Sequence, residues 1–297
     1  MARMLARFRT FMSCSSRTRS LLPVLLTTIL AGCATVPITG RSQLSLVSSP
    51  QMMSMSEQNY RAFLDENRGA VLTGTAEARM VERTGQRIRR AVEQYFASRG
   101  MSDRLRGYAW EFHLVDKDEV NAWCMPGGKV VVYRGLLPVA QDETGLAVVM
   151  GHEIAHAIAE HGNERMSQEL MVRMGGSALS MAVATRPAAT QSLFMSLYGA
   201  GTKVGALLPY SRLHESEADR LGLIFMAIAD YDPRAAEGFW SRMSQSKKGA
   251  TASPEMLSTH PSDASRIAQI RQLLPEALAH ARAVRRGLPV ATEDAAP

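Results

Sequence analysis

The spacing of hydrophobic positions changes twice along the chain, and each change marks a different kind of element. Residues 57–99 step at threes and fours. Within 78–96, Val81, Thr84, Ile88, Ala91 and Tyr95 share one face, which predicts two opening helices with that stripe turned inward. From Tyr108 to Val115 apolar and polar residues alternate, the period of a half-buried strand. Two more short apolar runs, residues 121–125 and Lys129–Tyr133, are separated by Gly127-Gly128. Together the three runs predict a small antiparallel sheet closed by a glycine turn. Beyond Gly135 the helical period returns, over residues 143–161, 164–184, 192–204, 214–229, 233–245 and 262–285. The expected class is α+β, predominantly α. No unit of ~34 or ~40 residues recurs, so no helical-repeat array is expected.

The N-terminus follows another rule. Arg3, Arg7, Arg9, Arg17 and Arg19 precede an eleven-residue apolar run from Leu21 to Ala31, which ends in Leu30-Ala31-Gly32-Cys33. That order of basic, apolar and small residues is a secretory signal over residues 1–32. Eleven helical residues reach roughly 16 Å, about half of a ~30 Å hydrocarbon core, so a cleaved segment is expected and not a span. The Leu-Ala-Gly-Cys ending resembles the bacterial lipobox, which implies that Cys33 is the acylated first residue of a mature lipoprotein. Three acyl chains, at ~0.8 kcal/mol per buried methylene, anchor such a chain stably. Ala34, where aspartate would signal inner-membrane retention, implies the outer membrane. Residues 33–50 then read as the lipidated end and its tether, with a short strand at 44–47. Residues 51–289 read as one folded domain, and 290–297 as a frayed tail.

Composition narrows the partners. The chain has 297 residues, 46% hydrophobic and 21% charged, which supports a normal core and excludes disorder. Its formal charge of +6 falls to +1 once the five signal arginines are set aside. No basic surplus remains for nucleic acid. Cys14 leaves with the signal and Cys33 carries lipid, so Cys124 has no disulfide partner and reads as a small buried apolar residue. Met166, Met171, Met174, Met181 and Met195 read as core filling or adaptable surface in preference to a thioether metal relay.

Chemistry concentrates in His152-Glu153-Ile154-Ala155-His156, set in an apolar helix flanked by Leu146, Val148, Val149, Met150 and Ile158. At about 100° per residue the two imidazoles lie about 40° apart and one turn along, so both can present a ring nitrogen to one ion. Glu153 projects about 100° from His152, beside that ion, where a carboxylate can accept the proton of an activated water. Burying these three groups without a partner is costly, and a metal removes the cost. Zinc needs a third protein ligand. His214-Glu215-Ser216-Glu217-Ala218-Asp219 offers candidates, and spacing alone does not separate Glu215 from Glu217 or His214. His161, five residues past His156, is about 140° round the helix. Followed by Gly162, it reads as an imidazole closing that helix at its carbonyl end. His113 and His280 have no partner at ligand spacing.

His-Glu-Ile-Ala-His and Glu-Ser-Glu-Ala-Asp, with Leu208-Pro209-Tyr210-Ser211-Arg212 before the second and Thr259-His260-Pro261 after it, are a specific combination. It resembles the membrane-associated zinc metallopeptidases that include HtpX, the CAAX prenyl endopeptidases and the periplasmic BepA and LoiP proteins. The likeness extends to Asn121-Ala122-Trp123, Pro126-Gly127-Gly128, Arg134-Gly135-Leu136-Leu137 and Pro37-Ile38-Thr39-Gly40-Arg41, hence most of residues 33–270. It implies a zincin-like fold with a small sheet beside the metal helix, and one Zn2+ per chain on His152, His156 and Glu215, with Glu153 as general base. Asp219, one turn from Glu215, is placed to orient a ligand imidazole; its alternative is a capping or surface carboxylate. His260 matches a family histidine near the metal, which fills the fourth position at rest in some members and stabilises the tetrahedral intermediate in others. Its alternative is a His-Pro helix start before Ser262.

The expectation is therefore a zinc endopeptidase, lipid-anchored at the periplasmic side of the outer membrane. Its substrates are misfolded or misassembled envelope proteins, and outer-membrane assembly machinery is a candidate partner. The resemblance to zincin-like proteases implies that Lys129–Tyr133, leading into the metal helix, belongs to the sheet edge that pairs with an extended substrate. One rival is a non-proteolytic assembly factor or chaperone with a structural zinc. Another is a helical lipoprotein without metal. Neither needs a glutamate between the histidines.

Overall fold

The computed structural model describes residues 33–36, 39–174, 190, 191, 193, 211–249, 256, 260 and 264–288. The signal segment, the second half of the helix expected over 164–184, nearly all of that over 192–204, Met181, Met195 and the tail from 290 lie outside them. The stretch expected as a tether carries structure. Strands β1 (Cys33–Thr35) and β2 (Ser42–Leu44) pair antiparallel, and Val36 and Val47 are buried in the domain. Helix α1 (Ser49–Glu66) starts ahead of residue 57 because Ser48 accepts from the Gln51 N–H at 3.4 Å and Pro50 presets the first turn. Thr75 caps α2 (Ala76–Ser98), which buries the stripe Val81, Thr84, Ile88, Ala91 and Tyr95 as its period predicted.

Between and after these helices come β3 (Val71–Leu72), β4 (Glu111–Val115), β5 (Ala122–Met125) and β6 (Lys129–Tyr133), in the sheet order β3-β4-β6-β5. The outer pairs are antiparallel and β4 runs parallel to β6, so this sheet is mixed. After β4 the chain crosses to the far edge, forms β5 and turns back into the gap. Pro126 followed by Gly127 at φ 84° makes the turn, closed by Gly128 N–H donating to the Met125 carbonyl at 3.2 Å. All five residues of β6 are buried, as an unbroken Lys-Val-Val-Val-Tyr run demands of a central strand. The expected edge strand is thus interior. Among the described residues the edges of the sheet are the two-residue β3 and, on the other side, β5.

Asp142 caps α3 (Glu143–Ile158), accepting from Gly145 N–H at 2.8 Å, and everything from Gly145 to Ile158 is buried. The helix packs in one core with Ala122, Cys124, Val130 and Val132 of the sheet, with α2, and with α5 (Arg212–Ile228). The chain then breaks. Glu160 adopts φ 55°, and α4 (His161–Met174) sets off in a new direction, so the helix expected through His161 is two helices. Helices α6 (Ala235–Gly249) and α7 (Ala264–Arg285) cover the far side of α5 and α3. Cys124 is a buried free thiol whose pKa burial pushes up, in keeping with a filler role. Met166 fills a smaller core with Met52, Met55 and Leu170, whereas Met171 is exposed.

One contact sets the site. Gly151 of α3 and Gly222 of α5 meet back to back, and a Cβ on Gly222 would lie 3.0 Å from the Gly151 carbonyl carbon and the His152 nitrogen. Two absent side chains let the helices close, bringing the polar start of α5 against the histidine face of α3. No described helix is long and apolar enough to cross a membrane.

Candidate metal centre

The Ser211 hydroxyl accepts from the His214 N–H at 3.2 Å and so fixes the first turn of α5, from which Glu215 points at α3. His152 Nε2 and His156 Nε2 lie 3.0 Å apart. Glu215 places Oε2 3.5 Å from the first and Oε1 3.4 Å from the second. His260 brings Nδ1 to 2.9 Å from Glu215 Oε1 and 3.2 Å from His152 Nε2. Each of the four offers one donor atom, all within 4.8 Å of one another. A tetrahedral zinc with nitrogen and oxygen ligands at about 2.0–2.1 Å keeps its donors roughly 3.3 Å apart. These separations fit.

Charge fits as well. Glu153, Glu215 and Asp219 are buried carboxylates facing one buried guanidinium, Arg266. A divalent cation would bring that set to neutrality, which a buried cluster favours. Arg266 pairs with Asp219 through Nε and Nη2, both at 2.7 Å, reaches Glu215 Oε2 with Nη1 at 3.0 Å, and stacks its guanidinium 3.5 Å over Trp240. Asp219 Oδ1 accepts from His152 Nδ1 at 3.0 Å, the outer contact that turns the other ring nitrogen toward an ion.

Glu153 follows His152 on α3 and is buried beside His260. Its Oε1 is buried, accepts no hydrogen bond, and lies 3.5 Å from His260 Nε2. Burial raises its pKa to about 7, with the Glu215 charge adding to the rise and His260 and Arg266 opposing it. A carboxylate poised near neutrality suits general-base work. Glu215 is held well below the ordinary carboxylate range: burial opposes this, but the charge and hydrogen bonds of His260, His152 and His156 outweigh it.

The structure separates the three residues that spacing left open. Glu217 and His214 face away from the four donors, toward α4 and the N-terminal hairpin, where they meet His161 and Glu164 at 2.9 and 3.0 Å. Arg266 was missed. Its signal was a lone arginine on the stripe that continues through Ile270, Ala277 and Ala281, all buried on α7. Also missed was the closeness of His161 to His156, hidden by the break at Glu160.

Two imidazoles one turn apart, a glutamate from the neighbouring helix and a carboxylate beside them, on this helix-and-sheet frame, define a metallopeptidase centre. The chain belongs to peptidase family M48, whose model matches residues 82–274. It is 34% identical over 242 residues to the mitochondrial metalloendopeptidase OMA1 of Schizosaccharomyces pombe, covering 82% of this chain and 66% of that one. The OMA1 metalloendopeptidase of Homo sapiens is 34% identical over 248 residues, 82% of this chain and 46% of its own. The beta-barrel assembly-enhancing protease of Escherichia coli is 33% identical over 192 residues, 61% of this chain and 38% of its own. The match takes in less than two thirds of each relative's length.

Proposed function

We propose that this protein is a zinc endopeptidase, lipid-anchored through Cys33 and facing the periplasm, that cuts misfolded or misassembled envelope proteins. The observation that carries the catalytic part is the convergence of His152, His156 and Glu215 donors beside a buried Glu153. A bound zinc supplies Lewis acidity, polarising the scissile carbonyl and easing deprotonation of water. Glu153 takes the proton of the attacking water and returns it to the leaving amine. Asp219 keeps the His152 ring in register, and Arg266 keeps Asp219 in place. His260 would supply a fourth donor to a bound zinc, and with its imidazole turned aside it could donate to the oxyanion of a bound substrate. An extended chain would add to the outer edge of β5, beside α3.

Support for the location is the Leu-Ala-Gly-Cys end of the signal, with Ala34 favouring the outer membrane. The name of the Escherichia coli relative supports an assembly-linked role and outer-membrane assembly machinery as partner, while OMA1 is named mitochondrial. Glu153→Gln tests the catalytic reading: it should keep one zinc per chain and lose about 10²- to 10⁴-fold in cleavage of unfolded casein. Unchanged turnover would sink the assignment and leave the assembly-factor rival. Radiolabelled palmitate should enter the wild type and not Cys33→Ser, and membrane fractionation should place the former in the outer membrane.

A further inference from the structure

His156 points its Nε2 at the four-donor centre, so its Nδ1 faces the other way. There it lies 2.9 Å from His161 Nδ1. His161 is fully buried, at 0% exposure, and is brought back against α3 only because Glu160 takes the left-handed conformation between α3 and α4. Two ring nitrogens at this distance share one proton. With His156 ligating through Nε2, its Nδ1 carries the hydrogen, His161 Nδ1 accepts it, and the His161 proton sits on Nε2. That nitrogen lies 2.9 Å from Glu217 Oε2. Glu217 in turn accepts from Arg41 Nε at 3.0 Å and from the Thr39 hydroxyl, both in the turn of the N-terminal hairpin. Each donor in this line meets an acceptor.

The rest of the Arg41 guanidinium spans to Glu164, at 3.0 and 2.7 Å. Glu164 receives His214 Nε2 at 3.0 Å, and the His214 ring stacks on His161 at 4.5 Å and 25°. The hairpin that begins at Cys33 is thereby joined to the metal-facing helix by polar contacts, not by apolar packing alone.

We propose that His161 is a positioning residue for the metal ligand His156, and that the N-terminal hairpin, through Arg41 and Glu217, is a working part of the metal centre. This rests on the metal reading above. The seating of the N-terminal hairpin then sets how firmly the ion is held.

The test uses the full mature chain in detergent and Zn2+ competed against a chromophoric chelator. His161→Leu should weaken Zn2+ binding about 10- to 100-fold, the usual cost of losing an outer partner of a ligand histidine. His161→Asn, whose amide oxygen can sit where Nδ1 was and accept from His156, should recover most of that loss. Arg41→Ala and Glu217→Gln should weaken binding by a smaller factor, about 3- to 10-fold on the same basis. Arg104→Ala, which removes a 3.4 Å contact to Thr35 on the far side of the hairpin, should leave it unchanged. Should His161→Leu fail to fold, Glu217→Gln and Arg41→Ala carry the comparison. Wild-type affinity in His161→Leu, or in both of those variants, would overturn the relay while leaving the metal reading intact. A wild type that binds no Zn2+ would overturn both.

Discussion

His152 and His156 sit one turn apart on α3, yet they are held from opposite sides by unlike means. On one side Asp219 touches His152 directly and is itself gripped by Arg266, so two full charges lie next to the ring. On the other, a neutral imidazole stands between His156 Nδ1 and the carboxylate of Glu217, and the guanidinium beyond it comes from the far end of the chain. The first side is built wholly from α5 and α7. The second borrows from the N-terminal hairpin. Direct charge gives a stiff, strongly bound ligand, whereas a relay gives one whose hold depends on whether a distant segment is seated.

The largest effect that would sharpen this contrast comes from Arg266→Met. It strips the Arg266 guanidinium from Asp219 and Glu215, and losing one member of a buried ion pair costs about 3–5 kcal/mol. Urea unfolding of the metal-free variant should show that loss, and added zinc should recover more stability than it adds to the wild type, since the ion supplies the missing charge. Equal zinc stabilisation of both forms would show that Arg266 is not balancing the site. Gly222→Ala comes next. Its methyl must push against the Gly151 and His152 backbone, an overpacking cost of about 1–3 kcal/mol. It should loosen the His152 side first, visible as weaker zinc binding along with a lower Tm.

Much of the frame was legible in the sequence, for identifiable reasons. The α2 stripe, the buried α3 and the paired histidines are local, set by residues within a few turns of each other. What escaped depended on backbone dihedrals or on long-range pairing. Periodicity carried α3 through His161, because nothing in Ala159-Glu160 signals a left-handed residue, and the resulting 140° rotation removed His161 from view. A two-fold alternation gives strands but not their neighbours, so β6 was placed at an edge although its three consecutive valines marked an interior strand. Residues 34–50 looked like a tether because small polar residues usually are. Arg41 and Thr39 instead find one buried acid, Glu217, more than 170 positions away.

Asp219→Asn removes the charge on the direct side and leaves an oxygen to accept from His152. Zinc affinity should fall about 10- to 100-fold, or about 1.4–2.7 kcal/mol, without the large stability loss of Arg266→Met. A competition titration with a chelator reads this, and an unchanged constant would mean that orientation alone, not charge, is what Asp219 provides.

The smallest effect lies on the relay side and appears with acid. Glu164 has its pKa brought down to about 2: burial opposes the shift, and the hydrogen bonds from His214 and Arg41 outweigh it. A carboxyl whose folded value is depressed from about 4.5 contributes stability that is complete above that pH and is lost as pH falls from there toward about 2. Arg41 is 19% exposed, so water screens the pair and about 1 kcal/mol is the scale to expect. The stability difference between wild type and Glu164→Gln should therefore be flat from pH 7 to about 5 and shrink below about 4.5. A difference that stays level down to pH 3 would show that the hairpin is seated by its apolar residues, Val36 and Val47, and that the charge on Glu164 contributes nothing to holding it there.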